Sequence, residues 1–315
     1  MIAIDRLRKN FGEKVAVDIE HYEINQGDML GLVGNNGAGK TTLFRLMLDL
    51  LKADNGKVVI NDIDVSQSED WKSFTGAFID DGFLIDYLTP EEYFYFIGKM
   101  YGLKKEEVDE RLVTFERFMN GEVIGHKKLI RNYSAGNKQK IGIISAMLHH
   151  PQLLILDEPF NFLDPSSQSV IKHLLKKYNE EYRATVIISS HNLNHTVDVC
   201  PRIALLEYGV IIRDITNKDN SAEKELEDYK KQLAWIDTNV SKEAGFKEWT
   251  KINHPQLGEV EIGGCDFKYT MQNCPPHLLQ TEIENNTKFM LRQIATLPKL
   301  VFASVEVIQV APNLY

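Results

Sequence analysis

Cysteine is scarce: Cys200, Cys265 and Cys274 are the only three in 315 residues. They are odd in number, far apart and form no C-x-x-C pair. They therefore exclude a disulfide framework and a cysteine zinc site, and fit ordinary thiols in a reducing compartment. Long apolar runs are missing too. None approaches the roughly 20 residues of a membrane-spanning helix. The opening Met1-Ile2-Ala3-Ile4-Asp5 lacks the charged head and apolar stretch of a secretory signal. A soluble chain is expected, with any membrane role coming through a partner. Nor is there a basic excess: 36 Lys and Arg face 45 Asp and Glu, for a net charge of −9. Division at Asn217 leaves 25 against 31 before it and 11 against 14 after it. Neither part has the cationic surplus of a nucleic-acid binder, so no nucleic-acid partner is expected. Internal repeats and low-complexity segments are absent, and 43% hydrophobic with 26% charged residues excludes wholesale disorder.

What is present reads as alternating strands and helices. Residues 1–25 alternate like strands around a turn at 10–14, and 28–33 form a short buried strand that ends in glycine. Residues 41–51 carry helical apolar spacing; Asp54-Asn55-Gly56 is a turn into a strand at 57–60. Thr89-Pro90-Glu91-Glu92 combines a capping threonine, a first-turn proline and a capping-box glutamate, and opens a mostly helical stretch to about Asn120. Residues 153–156 and 185–188 are wholly apolar, as strands covered on both faces are, with a helix at 168–178 between them. That order predicts α/β architecture. After Asn217 the character changes: a charged helix at 221–233, a solvent-facing strand pair at 258–270, a helix at 277–297 and a strand at 301–310. Residues 217–315 are expected to form a separate small α+β domain.

Gly34-Asn35-Asn36-Gly37-Ala38-Gly39-Lys40-Thr41 fits G-x-x-x-x-G-K-[ST], between a strand and a helix. Its four fixed positions arise by chance in only about 1% of chains this long. Glycines let backbone N–H groups converge on phosphate oxygens, and the following helix turns its positive end to the same anion. Lys40 adds a mobile ammonium for the outer phosphates, and the Thr41 hydroxyl suits Mg²⁺.

The 153–156 strand runs into Asp157-Glu158-Pro159, which puts two acids at the carboxyl edge of the sheet and turns them in different directions. Asp157 suits a hold on Mg²⁺ through water; Glu158 suits orienting and deprotonating an attacking water. Alone, such a pair also fits strand-end capping; the phosphate loop upstream gives it weight. Ser189-Ser190-His191 follows the 185–188 strand, so His191 stands at the same edge, where it fits either a γ-phosphate contact or a structural role. His149, His150 and His195 read as structural.

Together these elements resemble the nucleotide-binding subunits of ATP-binding-cassette (ABC) transporters. The discriminating segment is Tyr133-Ser134-Ala135-Gly136-Asn137-Lys138-Gln139-Lys140, where that family keeps its Leu-Ser-Gly-Gly-Gln signature. Ser134 and Gly136 match; Tyr133, Ala135 and Asn137 depart. The helix at 137–148 and Pro151 also fit. Asn161-Phe162-Leu163-Asp164 looks like the family's D-loop, and His191 like its switch histidine. Phe11 is placed like the aromatic residue that stacks on adenine, a core phenylalanine being the other reading. Asp80 stands where the family has a glutamine that contacts Mg²⁺ and the transmembrane partner, after Ile79 instead of proline; some exporter ATPases are acidic here.

The resemblance covers about residues 1–215. It implies a P-loop NTPase cassette, a mixed sheet core with a helical subdomain at about 89–150, over residues 1–216; the α+β domain at 217–315 is an accessory. It implies ATP held by Gly34, Asn35, Asn36, Gly37, Ala38, Gly39, Lys40, Thr41 and Thr42, and Mg²⁺ held by Thr41, Asp80 and Asp157, with Glu158 and His191 catalytic. Ser134 and Gly136 cap the ATP of a second cassette in a head-to-tail pair, here a homodimer or a pair with a heterologous cassette. A separate transmembrane subunit, with this chain attached at its cytoplasmic face, completes a transporter, an exporter by the Asp80 hint. The rival expectations are a low-turnover ATP switch, motivated by the altered signature and Asp80, and a soluble ABC ATPase without transport.

Overall fold

Alternation of apolar and polar residues builds the first two strands. β1 (Ile2–Phe11) and β2 (Lys14–Ile24) form an antiparallel hairpin that buries Ile2, Ile4, Leu7, Val17 and Ile19. This structure, a computed structural model, describes residues 2–12, 14–216, 240–246, 250–254, 258–272 and 299–310. β3 (Met29–Val33) is buried along its whole length and leads into α1 (Lys40–Met47). β4 (Asn55–Ile60) pairs with β1, and β5 (Ile63–Asp64) with β4, which completes an antiparallel sheet of order β2-β1-β4-β5.

β6 (Thr75–Phe78) opens the route to the helical region, α2 (Pro90–Met100), α3 (Lys105–Val113), α4 (Glu116–Met119) and α5 (Ala135–Met147). The start of α2 is set as its sequence requires: the Thr89 hydroxyl accepts from Glu92 N at 3.3 Å, and the Glu92 carboxylate accepts from Thr89 N at 2.8 Å. β7 (Leu153–Leu156), α6 (Pro165–Tyr182), β8 (Thr185–Ser190), α7 (Leu193–Val197), β9 (Arg202–Glu207) and β10 (Val210–Thr216) follow. The second sheet has the order β10-β9-β3-β8-β7-β6, parallel except for β10.

Inside the wholly apolar strands, alternation still decides which layer each side chain joins. Leu30, Leu32, Ile155 and Ile187 pack with α1 and the antiparallel sheet; Leu154, Leu156, Val186 and Ile188 pack with residues of α5 and α6. The parallel sheet is thus the middle layer of three. Because β3, β8 and β7 are parallel neighbours, their carboxyl ends, and the loops that leave them, meet at one edge. Among the described residues no helix is long and apolar enough to cross a membrane.

The chain divides into two compact units, Met1–Glu223 and Lys224–Tyr315. In the second, β11 (Val240–Phe246), β12 (Thr250–His254), β13 (Gly258–Gln272) and β14 (Lys299–Val310) form one sheet. Residues 258–270, expected as a strand pair, are a single strand. β12 pairs with its first part, β11 with its second, and β14 runs parallel along residues 261–272, so Gly263-Gly264 lies within a ladder and not in a turn. The helices expected at 221–233 and 277–297 lie outside the described residues.

Candidate active site

The loop after β3 is shaped by what its glycines sit against. Gly39 has φ 109°, and a Cβ there would stand 2.4 Å from the Ala16 carbonyl oxygen; at Gly34 a Cβ would meet Leu206 O at 2.3 Å. Both positions therefore exclude a side chain. At Gly37, with φ 83°, the added atom would meet open space, so there the backbone itself faces outward. The turn between β9 and β10 braces the loop from outside: Gly209 N donates to Ala38 O at 2.8 Å, and Gly209 O accepts from Asp18 N at 2.8 Å. α1 starts with no side-chain cap and no acidic residue in its first turn, so its positive end is free to meet an anion.

Lys40 folds back over this loop. Its Nζ donates to Gly34 O at 2.7 Å and Asn35 O at 3.3 Å, and lies 3.4 Å from Glu158 Oε1. The Thr41 hydroxyl donates to Asp157 Oδ2 at 2.5 Å, and the Ser189 hydroxyl donates to the other Asp157 oxygen. Burial holds the Asp157 carboxyl above the usual carboxylate range, while these two hydroxyls and the Lys40 ammonium pull the other way. Glu158 has a left-handed backbone (φ 47°), uncommon for a residue with a side chain. Three contacts fix it: its N–H donates to Ser189 Oγ at 2.8 Å, its carbonyl accepts from Gln139 Nε2 at 3.2 Å, and its Oε2 faces His191 Nδ1 at 2.8 Å. Opposite a carboxylate, Nδ1 is the ring nitrogen that carries the proton.

Lys40, Thr41, Asp157, Glu158 and His191 thus form one connected cluster at the sheet edge. The other expected residues stand differently. Ser134 caps α5 by accepting from Asn137 N at 3.3 Å. Gly136 lies where a Cβ would be 2.6 Å from Phe162 O. Neither makes a polar contact with residues 34–42 of its own chain. Phe11 is 52% exposed with the Lys9 ammonium 5.9 Å from its ring centroid, which rules out the core reading. Asp80 accepts from Gly82 N at 2.9 Å and pairs with Arg45 at 3.3 Å, and has no polar contact with Thr41 or Asp157. Among the described residues no cluster of three or more His, Cys, Asp or Glu is disposed to hold a metal. Sequence reasoning passed over Ser189, which bonds both acids, and Gln139. A serine directly after the apolar 185–188 run, beside His191, was the available signal for the first.

A parallel α/β layer with a glycine loop, its lysine and two strand-end acids at one edge defines a P-loop nucleoside triphosphatase. Residues 18–161 match the family model of ABC transporters. The chain is 31% identical over 274 residues to an uncharacterised ABC transporter ATP-binding protein of Bacillus subtilis (strain 168), YdbJ, covering 84% of this chain and 88% of that protein. It is 33% identical to the bacitracin transport ATP-binding protein BcrA of Bacillus licheniformis, over 66% of this chain and 67% of that one. Among solved structures, a dimeric ATP-binding cassette in a post-hydrolysis state with ADP and Pi superposes with a TM-score of 0.62 at 24% identity, over 69% of this chain and 99% of that chain. The ATP-binding subunit of an ABC transporter gives a TM-score of 0.66 at 24% identity, over 74% and 99%. The chain belongs to the ABC transporter ATP-binding proteins, and it is an ATPase.

Proposed function

We propose that this chain powers a membrane exporter as its ATP-hydrolysing subunit, two copies closing around ATP and a separate transmembrane subunit carrying the cargo. The observation that carries the reading is the single cluster joining the Lys40 loop to Asp157, Glu158 and His191. ATP fits the loop: backbone faces outward at Gly37, and the buried Lys40 ammonium rests on carbonyl oxygens that a phosphate can replace.

Taking up the triphosphate moves Lys40 from Gly34 O and Glu158 to phosphate oxygens. That releases the Glu158 carboxylate, still oriented by His191, to hold a water in line with the γ-phosphorus and accept its proton as the O–P bond forms; ADP leaves with the bridging oxygen. Thr41 and Asp157 are the residues that would hold Mg²⁺. A hydroxyl and a buried carboxylate suit a hard cation, and a cation relieves the burial that raises Asp157. When bound, Mg²⁺ supplies charge neutralisation on the phosphates.

Ser134 and Gly136, free of contacts with their own loop, fit a role on the nucleotide of a second copy. Phe83 and Tyr87, exposed on the segment between β6 and α2, with Met100 at the end of α2, offer apolar surface for the transmembrane partner. Such a partner would hold the chain at the cytoplasmic face of the membrane. Phe11 fits an adenine stack, and residues 217–315 an accessory role. The low-turnover reading draws on Ala135, Asn137 and Asp80, but the intact Glu158–His191 contact speaks for turnover. Glu158→Gln tests the proposal. With ATP it should bind normally, hydrolyse slowly and double its mass by light scattering; a monomer at saturating ATP overturns the paired-cassette reading.

A further inference from the structure

The end of β8 carries three successive residues that are each bonded to the site. Ser189 bonds both acids, Ser190 O accepts from Gly34 N of the phosphate loop at 3.3 Å, and His191 faces Glu158. The Ser190 side chain closes the turn that presents His191: its hydroxyl accepts from Asn192 N at 3.0 Å and donates to Asn192 O at 2.9 Å. Ser189 follows Ile188, which lies opposite Leu156 in the parallel pairing of β8 with β7, so it stands beside Asp157. It is 0% exposed.

A hydroxyl has one proton to give and lone pairs with which to accept. At Ser189 the proton goes to Asp157 Oδ1, and the Glu158 N–H fills a lone pair at 2.8 Å. An apolar side chain here would do neither. Asp157 Oδ2 takes the Thr41 hydroxyl at 2.5 Å. The two hydroxyls on Asp157 differ in what else they serve. Thr41 stands in the first turn of α1 and is one of the residues that would hold Mg²⁺, so its oxygen is shared between two tasks. Ser189 is closed off from solvent, and its hydroxyl is committed to the two acids. It therefore occupies Oδ1 and leaves Oδ2 on the Thr41 side. The same hydroxyl steadies the left-handed backbone of Glu158 (φ 47°), from which the carboxylate reaches His191.

We propose that Ser189 is a positioning residue for the ATPase reaction: its one hydroxyl fixes the angle between the two acids, turning Asp157 Oδ2 to the cation and the Glu158 carboxylate to the attacking water. This rests on the reading above, in which Asp157 serves Mg²⁺ and Glu158 the water. Ser189 itself touches neither.

The test is Ser189→Ala in the full chain, beside Ser189→Cys, which restores volume with only a weak donor and acceptor. Both should lower kcat by about 10- to 100-fold, the scale of a lost hydrogen bond to a charged group. KM for ATP should move by less than about threefold. Binding gives a second readout that is free of turnover: ADP titrated calorimetrically with and without Mg²⁺. The native chain should gain affinity from Mg²⁺, whereas Ser189→Ala should bind ADP alone like the native chain and keep little of that gain. Both comparisons are internal to one folded protein, so a change in stability does not imitate them. A kcat of either variant within about threefold of native, or an undiminished Mg²⁺ gain in Ser189→Ala, overturns the proposal. Asp157→Asn, titrated in the same way, separates the two ideas. If it keeps the Mg²⁺ gain, the reading of Asp157 as a cation holder falls and takes the Ser189 role with it. If it loses the gain while Ser189→Ala retains it, the Ser189 role alone falls.

Discussion

Lys40→Met keeps most of the aliphatic stem and deletes the cation, so it isolates what the ammonium does. In the structure that ammonium lies 2.7 Å from Gly34 O and 3.4 Å from Glu158 Oε1. Binding ATP exchanges these partners for phosphate oxygens, so the relevant quantity is the difference between the two sets, smaller than a full ion pair in a dry interior. Net hydrogen bonds to charged groups are worth about 1.5–3 kcal/mol, which corresponds to roughly a 10- to 150-fold loss of ATP affinity. Met fills the volume of the buried stem, so melting without nucleotide should hardly move. Calorimetric titration with ATP at fixed ionic strength measures the effect. An affinity within about threefold of the native chain would refute the reasoning, because it would mean that backbone amides alone carry the phosphate.

Two further predictions concern packing and pH. Gly136→Ala places a Cβ 2.6 Å from the Phe162 carbonyl, in a loop held by Gln168 Nε2 bonds to Phe160 O and Leu163 O; the gain in helix propensity, about 0.5–1 kcal/mol, should be outweighed, and turnover should fall more than melting temperature. Higher stability with full turnover would contradict it. His149 stacks on Tyr101 with ring centroids 3.6 Å apart, and burial pushes its imidazole down to about 4 from the ordinary 6.5. The unfolded chain thus takes up a proton that the native one refuses, so stability is complete above pH 6.5 and falls as pH drops through 6.5 towards 4, by at most about 3 kcal/mol. Urea midpoints at pH 7 and 5 should show a smaller fall for His149→Phe; equal falls in both proteins would count against it.

The parts legible in sequence were those with a short, self-sufficient cause. Glycines forced by close approach, a capping threonine with its glutamate, and uniformly apolar strands are each decided within a few residues. That is why the phosphate loop, the start of α2 and the α/β architecture could be read directly. Ser189 and Gln139 could not, because their partner Glu158 is distant in the chain: the parallel pairing of β7 with β8 brings Ser189 to it, and the placement of α5 brings Gln139. Asp80 shows the reverse: its position marked it as a metal contact, whereas its neighbour in space is Arg45, a residue that no motif points to. At 258–270, alternation reads as a strand pair; partners on both sides make it one long strand.

The bond from Gly209 to Ala38 has a practical reach. β10 starts at Val210, directly after the glycine that steadies the phosphate grip, and ends at Thr216, where the chain leaves for whatever follows. A load hung just past that exit, such as a bulky tag, a surface tether or a cross-link, is therefore in series with the nucleotide's handhold. Labels intended to be silent belong elsewhere, and ones intended to report on occupancy belong there.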